Sequence, residues 1–235
     1  MSNDDGRHRA FDRRGFVQSS VAAAIAGIGA RAGIGSSLAR LPHVRPRPTT
    51  PAAAIEELLA GNRRFMAEQL TSTSKDLSML REHTAEKQKP FAGILACADS
   101  RVPVELVFDQ SIGQLFVARV AGNVMTPEII ASLEYGVAAL GVQAILVLGH
   151  TNCGAVKAAM KTETVPGQIS ALYAHLQAAV EKSGGDVAKA IALNAAQQAE
   201  LLRASSTVVR EATKAGTLKV VSGVYDLDSG KVALS

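Results

Sequence analysis

The chain predicts an α/β domain, a mostly parallel β-sheet flanked by helices. Three observations carry that expectation. Short, largely apolar runs recur at 91–96 (FAGILA), 115–118 (LFVA), 144–148 (AILVL) and 218–224 (LKVVSGV). Strands of this kind are covered on both faces, as in a parallel sheet. Segments with apolar residues at helical spacing separate them, the order that builds βαβ units. An apolar fraction of 47% over 235 residues is enough for one buried core and gives no compositional sign of disorder.

The first fifty residues read as an address. Asp12-Arg13-Arg14-Gly15-Phe16-Val17-Gln18 precedes a short, weakly apolar, glycine-containing run to Ala30. Paired arginines, a bulky residue and such a run resemble a twin-arginine export signal, with Ala30-Arg31-Ala32 as its cleavage site. The expectation is a periplasmic or secreted protein carried by the twin-arginine export machinery. A membrane anchor left by an uncleaved signal, and a basic N-terminus on a cytoplasmic protein, stay open. LPHVRPRPTTP at 41–51 has too many prolines for helix or central strand and reads as a linker, so the domain spans 51–235. Arg7, Arg9, Arg13, Arg14, Arg31, Arg40, Arg45 and Arg47 all fall in this tail, and beyond it acidic and basic residues nearly balance. The net charge of +4 therefore describes the tail and argues against nucleic-acid binding.

Within the domain, Ile55, Leu58, Leu59, Phe65 and Met66 predict a helix over 52–69, which Gly61-Asn62 are expected to weaken or break. A polar stretch at 75–89 predicts another, ending before Pro90. The helix between the second and third apolar runs is well marked. Thr126 suits the N-cap, Pro127 the first turn and Glu128 the positive end of the dipole. Ile129, Ile130, Leu133, Val137 and Leu140 form its stripe, and Gly141 closes it. Residues 167–182 and 186–214 predict two more helices, the second opening at Asp186.

Chemistry concentrates after the first and third apolar runs, where Cys97-Ala98-Asp99-Ser100-Arg101 and Gly149-His150-Thr151-Asn152-Cys153-Gly154 follow. Sites in open α/β sheets form outside the carboxyl ends of strands, so these loops can meet. Cys97, His150 and Cys153 offer two thiolates and an imidazole, a set that suits zinc and suits magnesium or calcium badly. Three protein ligands leave a fourth tetrahedral position open, the mark of catalytic zinc. His-x-x-Cys alone is a weak pattern; joined to Cys-x-Asp-x-Arg at a strand end it is a specific one.

CADSRVPVELVFDQSIGQLFVARVAGN and SLEYGVAALGVQAILVLGHTNCGAVKAA resemble the signature region of β-carbonic anhydrases, and the likeness extends from GNRRF near residue 61 to GVYDLDSGKV near the C-terminus. The resemblance implies one Zn2+ per chain on Cys97, His150 and Cys153. It implies reversible hydration of carbon dioxide to bicarbonate and a proton, through attack of a zinc-bound hydroxide. It places the family's Asp–Arg dyad on Asp99 and Arg101, the arginine holding the aspartate off the metal so that the carboxylate orients the nucleophile. In some members the aspartate swings in as a fourth ligand and closes the site. Gln88 matches a glutamine that hydrogen-bonds substrate. Phe116 and Tyr135 match aromatic residues of a carbon dioxide pocket completed across a dimer interface, and Gly154 a position where backbone approaches the metal. A homodimer or larger homo-oligomer follows. Zinc held by three neutral histidines lowers the pKa of bound water to about 7. Two thiolates cancel the ion's charge, so this centre is expected to work best at neutral to alkaline pH. The sequence names no proton shuttle; His83 and His175 qualify only by residue type.

Two other functions stay open on sequence. Related enzymes with the same fold and triad hydrolyse carbon disulfide or carbonyl sulfide. A non-catalytic binding module stapled by a Cys97–Cys153 disulfide is the other.

Overall fold

A computed structural model of the protein describes residues 46–72, 87–161 and 164–235. In chain order they form α1 (Pro51–Met66), β1 (Ala92–Ala96), the one-turn α2 (Val104–Val107), β2 (Leu115–Arg119), a 3-10 turn (Ala121–Asn123), α3 (Pro127–Ala138), β3 (Ala144–His150) and α4 (Gly154–Lys161). A second 3-10 turn (Ile169–Leu172), α5 (Tyr173–Ser183), α6 (Val187–Ser205), α7 (Thr207–Lys214), β4 (Lys219–Tyr225) and β5 (Val232–Leu234) follow. The export motif, the linker up to residue 45, most of the helix expected at 75–89, and His83 lie outside the described residues. Residues 87–89 of that expected helix have no regular structure, as befits chain leading into Pro90. Among the described residues no helix is long and apolar enough to cross a membrane.

The strands form one sheet in the order β2-β1-β3-β4-β5. The first four are parallel, and β5 runs antiparallel to β4. The crossover from β2 through α3 to β3 therefore passes over β1. Alternation sets the two faces. Ala92, Ile94 and Ala96 of β1 and Ala144, Leu146 and Leu148 of β3 pack in one cluster with Leu58, Val104 and Phe108. Leu95, Ile145 and Val147 point the other way, toward Leu133 of α3 and Ala195, Ala199 and Leu202 of α6. Each fully buried Leu or Ile contributes about 1.5–3 kcal/mol.

Local signals account for most boundaries. Thr50 caps α1 by accepting the Ala53 N–H, and Thr126 caps α3 by accepting that of Ile129. Asp186 caps α6 through Lys189. Gly141 adopts φ +67° beyond α3. The folded region begins upstream of Pro51, because Arg47 donates to the carbonyls of Pro90 and Gly141.

Two expectations need correction, and one element is new. Gly61-Asn62 do not break α1: both are buried inside it. A Cβ at Gly61 would lie 1.7 Å from the Phe108 carbonyl oxygen, so glycine permits the close approach of α1 to the chain leaving α2. Asn62 donates to the carbonyls of Val107 and Gly230 and accepts from the Val232 N–H, tying α1 to β5. The single helix expected at 186–214 is two. Ser206 is extended (φ −95°, ψ 119°), caps α7 by accepting the Val209 N–H, and donates its hydroxyl to Glu134 of α3. The strand β5 was not expected at all.

Asp109, fully buried, fastens the C-terminal end of α1 to the chain leaving α2. Its carboxylate accepts from Arg64 Nε (2.5 Å), the Thr71 N–H and hydroxyl, and the Ser72 N–H. Burial pushes this carboxyl up, but the hydrogen bonds from Thr71 and Ser72 outweigh it and hold the group below the usual carboxylate range. A depressed folded pKa gives stability that is complete above the unfolded value of about 4 and is lost as pH falls through the folded value. Asp109→Asn should therefore cost about 2–3 kcal/mol at pH 7. The gap to the native chain should shrink in urea titrations run progressively below pH 4.

Candidate metal centre

Because β1 and β3 are adjacent and in parallel register, with Ala96 beside Leu148, their carboxyl ends emerge side by side. Cys97 is the first residue past β1 and His150 the last of β3. Three residues on, Cys153 immediately precedes α4, its carbonyl accepting the Lys157 N–H. Asn152, at φ 62°, makes the tight turn between His150 and Cys153, a left-handed position asparagine tolerates. The donor atoms of Cys97, His150 and Cys153 all lie within 4.8 Å of one another. The three residues are 4%, 0% and 1% exposed, so a ligand held there is sheltered by protein on its inner side.

Backbone groups orient each donor. His150 Nδ1 lies 2.9 Å from the Thr151 carbonyl oxygen, which can only accept, so Nδ1 carries the proton and Nε2 keeps its lone pair. Thr151 is itself pinned: its N–H donates to Tyr225 O and its hydroxyl accepts the Leu227 N–H. The Gly122 N–H donates to Cys97 Sγ at 3.3 Å. The N–H groups of Ala155 and Val156, in the first turn of α4, face the Cys153 sulfur. Arg119, at the end of β2, donates to the carbonyls of Cys97 (3.0 Å) and Asp99 (2.6 Å) and so straps down the loop that leaves β1.

A metal ion fits this arrangement. His150 Nε2 is buried without a hydrogen-bond partner, a costly state that a metal bond relieves. Both cysteines are free, so no disulfide staples the fold. The hydrogen bond from the Cys153 thiol is the main reason Cys97 is held well below the usual thiol range. Burial opposes it, and the Gly122 N–H adds to it. The same hydrogen bond, with burial, pushes Cys153 up. The two thiols are thus shifted in opposite directions by one mutual hydrogen bond, and a cation taking the place of its proton would let both become thiolates.

Asp99 stands beside the triad. Arg101 binds it with two parallel bonds, Nε to Oδ1 (2.9 Å) and Nη2 to Oδ2 (2.7 Å), and its backbone N–H adds a third at 2.9 Å. The guanidinium is the chief cause holding this carboxyl well below the usual range, against burial. Asp99 Oδ2 is 3.8 Å from His150 Nε2, close to the centre and bonded away from it.

The other expected residues are more scattered. Phe116 of β2 and Tyr135 of α3 contact each other, ring centroids 6.2 Å apart, and Tyr135 is 53% exposed. Gly136 leaves room for the Phe116 ring, which would lie 3.2 Å from a Cβ there. Gln88 is exposed on the irregular chain before β1. Gly154 opens α4, but a Cβ there would meet no protein atom within 4 Å, so packing among protein atoms does not demand glycine. His175 is exposed on α5. Sequence reasoning missed Arg119, Gly122 and Thr151, which act through backbone contacts. The register Ala96↔Arg119 brings β2's end to the site, and no residue pattern announces a register.

Residues 92–232 match the family described as carbonic anhydrase, a span that includes both metal loops. Carbonic anhydrase 2 of Mycobacterium tuberculosis is 36% identical over 200 residues, covering 79% of this chain and 93% of that one. Among solved structures, the β-carbonic anhydrase CafA of Aspergillus fumigatus superposes with a TM-score of 0.64 at 26% identity, covering 77% of this chain and 90% of that one. The Coccomyxa β-carbonic anhydrase, solved with acetazolamide, gives 0.60 at 29% identity, covering 77% and 85%. Fold, sequence and the shared span agree, and the chain belongs to the carbonic anhydrase family, in its β class, and is an enzyme of that kind.

Proposed function

We propose that the chain hydrates carbon dioxide reversibly at a zinc ion held by Cys97, His150 and Cys153. The observation that carries this reading is the buried His150 Nε2, unpartnered and gathered with two free thiols within 4.8 Å. Zinc with three protein ligands and an open fourth position activates water as a nucleophile near neutral pH. The chain's own residues do the rest. Thr151 fixes the His150 tautomer, so Nε2 faces the ion. Asp99 Oδ2, beside the triad, accepts the hydrogen bond of the attacking water and turns the water's lone pair toward substrate. Arg101 keeps that carboxylate ionised and off the metal.

Phe116 and Tyr135 offer an apolar lining suited to carbon dioxide. Half-exposed Tyr135, on a helix packed against the edge strand β2, is suited to cover by a second copy, which makes the working enzyme a homodimer or larger. Gln88 hydrogen-bonds substrate in that pocket. Arg13-Arg14 and the weakly apolar run after them direct export through the twin-arginine machinery, leaving the enzyme periplasmic or secreted.

Stopped-flow carbon dioxide hydration on metal-loaded protein should show fast turnover, higher at pH 8.5 than at pH 7, with metal analysis giving one zinc per chain. Cys153→Ser should lose both zinc and activity. Asp99→Ala and Arg101→Ala should keep zinc and lose about 100-fold or more in rate. One zinc per chain with no hydration at either pH would sink this reading and turn attention to carbon disulfide and carbonyl sulfide.

Export is checked separately, by fractionating a bacterial host. Replacing Arg13 and Arg14 together by lysine should leave active enzyme in the cytoplasm, and unchanged periplasmic activity would count against the signal.

A further inference from the structure

We propose that Asn194 and Gln198, both on α6, are positioning residues for the metal centre, fixing the peptide hydrogen bond that Cys97 receives. This role rests on zinc being held by Cys97, His150 and Cys153. The two amides are 1% and 3% exposed, one helical turn apart on the buried face of α6. Buried amides cost free energy unless every polar atom finds a partner, and an apolar pair would fill the same space more cheaply.

Their orientation is forced from the backbone. The Met125 N–H, which can only donate, gives to Gln198 Oε1 at 2.7 Å. Gln198 Nε2 must then face acceptors, and it donates to the His175 carbonyl and to Asn194 Oδ1, both at 3.1 Å. Asn194 is thereby turned so that Nδ2 donates to the Gly122 carbonyl at 2.8 Å. Gly122 completes the chain by donating its own N–H to Cys97 Sγ. Gly122 sits at φ +76°, where a Cβ would meet Ala155 at 3.3 Å and Leu176 at 3.4 Å, so α4 and α5 close around it while Asn194 holds its carbonyl.

The consequence lies in the donor strength of one ligand. A peptide N–H aimed at a thiolate withdraws electron density from sulfur and fixes its direction. Without Asn194 the Gly122 carbonyl loses its side-chain partner, the turn at 121–123 is held only by its own Asn123 N–H to Val120 carbonyl bond, and the hydrogen bond from Gly122 to Cys97 loses its fixed direction.

Cobalt substitution of the full chain reads this directly, because thiolate-to-cobalt charge-transfer bands report on sulfur electron density. The variants are Asn194→Ala and Gln198→Met, the latter close in volume and carrying the test if the former does not fold. Leu202→Ala is the control, a core residue of the same helix with no polar atom. Both amide variants should bind cobalt and zinc about 10–100-fold more weakly, with bands moved to longer wavelength. Leu202→Ala should lower thermal stability and leave the bands in place. Unmoved bands with affinity within about twofold of the native chain would overturn the proposal. So would an equal shift in Leu202→Ala, which would make the effect one of helix loosening. Native protein lacking thiolate bands altogether would instead refute the zinc assignment itself.

Discussion

The parallel pairing of β1 with β3 is the constraint on which the metal centre depends. Two strands separated by some fifty residues of chain end at the same edge of the sheet, in register from Ala92↔Ala144 to Ala96↔Leu148. Neighbouring strands lie about 4.8 Å apart, so the residues just past their ends are placed within reach of one small ion. A slip of one residue would send every side chain of β1 to the opposite face. The core forbids it, because Ile94 and Leu146 pack on one side and Leu95, Ile145 and Val147 on the other, all fully or almost fully buried. The packing that makes the fold stable is thus the same packing that sets the geometry of the donors.

Around that geometry, the supporting bonds come mainly from the backbone. Thr151 O fixes His150, Gly122 N–H reaches Cys97, and the first turn of α4 serves Cys153. Such groups carry no rotamer freedom of their own, so they lose little entropy in holding a donor. The cost appears instead in conformation. Asn123 and Asn152 sit at φ 45° and 62°, left-handed values that cost a non-glycine residue roughly 1–2 kcal/mol. Both lie in turns beside the donors, and the other described non-glycine residues at such values, Glu68 and Asp109 (φ 55° and 46°), also lie in chain between elements. Stability stored in the sheet offsets the strain of these turns.

This division explains what the sequence revealed. Composition of single segments carried the four parallel strands, the cap Thr126, the helix start at Asp186 and the candidate ligands, because apolar runs, capping side chains and thiols are properties of one stretch of chain. What escaped detection were relations between stretches. Gly61 looks like a helix breaker until the Phe108 carbonyl is seen against it. Ser206 reads as an ordinary helix residue until its hydroxyl is found on Glu134, seventy-two residues away. The three residues of β5 gain their strand character from Asn62 and β4, not from their own pattern. Arg119 resembles any exposed arginine until the register of β2 brings it to the loop of Cys97.

Charge gives the arrangement at the carboxyl end of β1 its logic. In the proposed zinc centre two thiolates would neutralise the divalent ion, and Asp99 beside them would add a further negative charge. Left alone, that carboxylate would be drawn to the metal and take the open position. Two parallel hydrogen bonds from Arg101 compete for it, and they offer what the ion offers, a positive charge at bonding distance, in a direction pointing away from the triad. Arg101 can do so only while the loop keeps its shape, and there Arg119 enters. By binding the carbonyls of Cys97 and Asp99 it holds the two ends of a three-residue segment, so that thiol and carboxylate keep a fixed relation. One arginine acts on the carboxylate and the other on its backbone. Neither would suffice alone, because an unconstrained loop would let the Asp99–Arg101 pair swing as a unit, and a constrained loop without Arg101 would present a bare carboxylate to the ion.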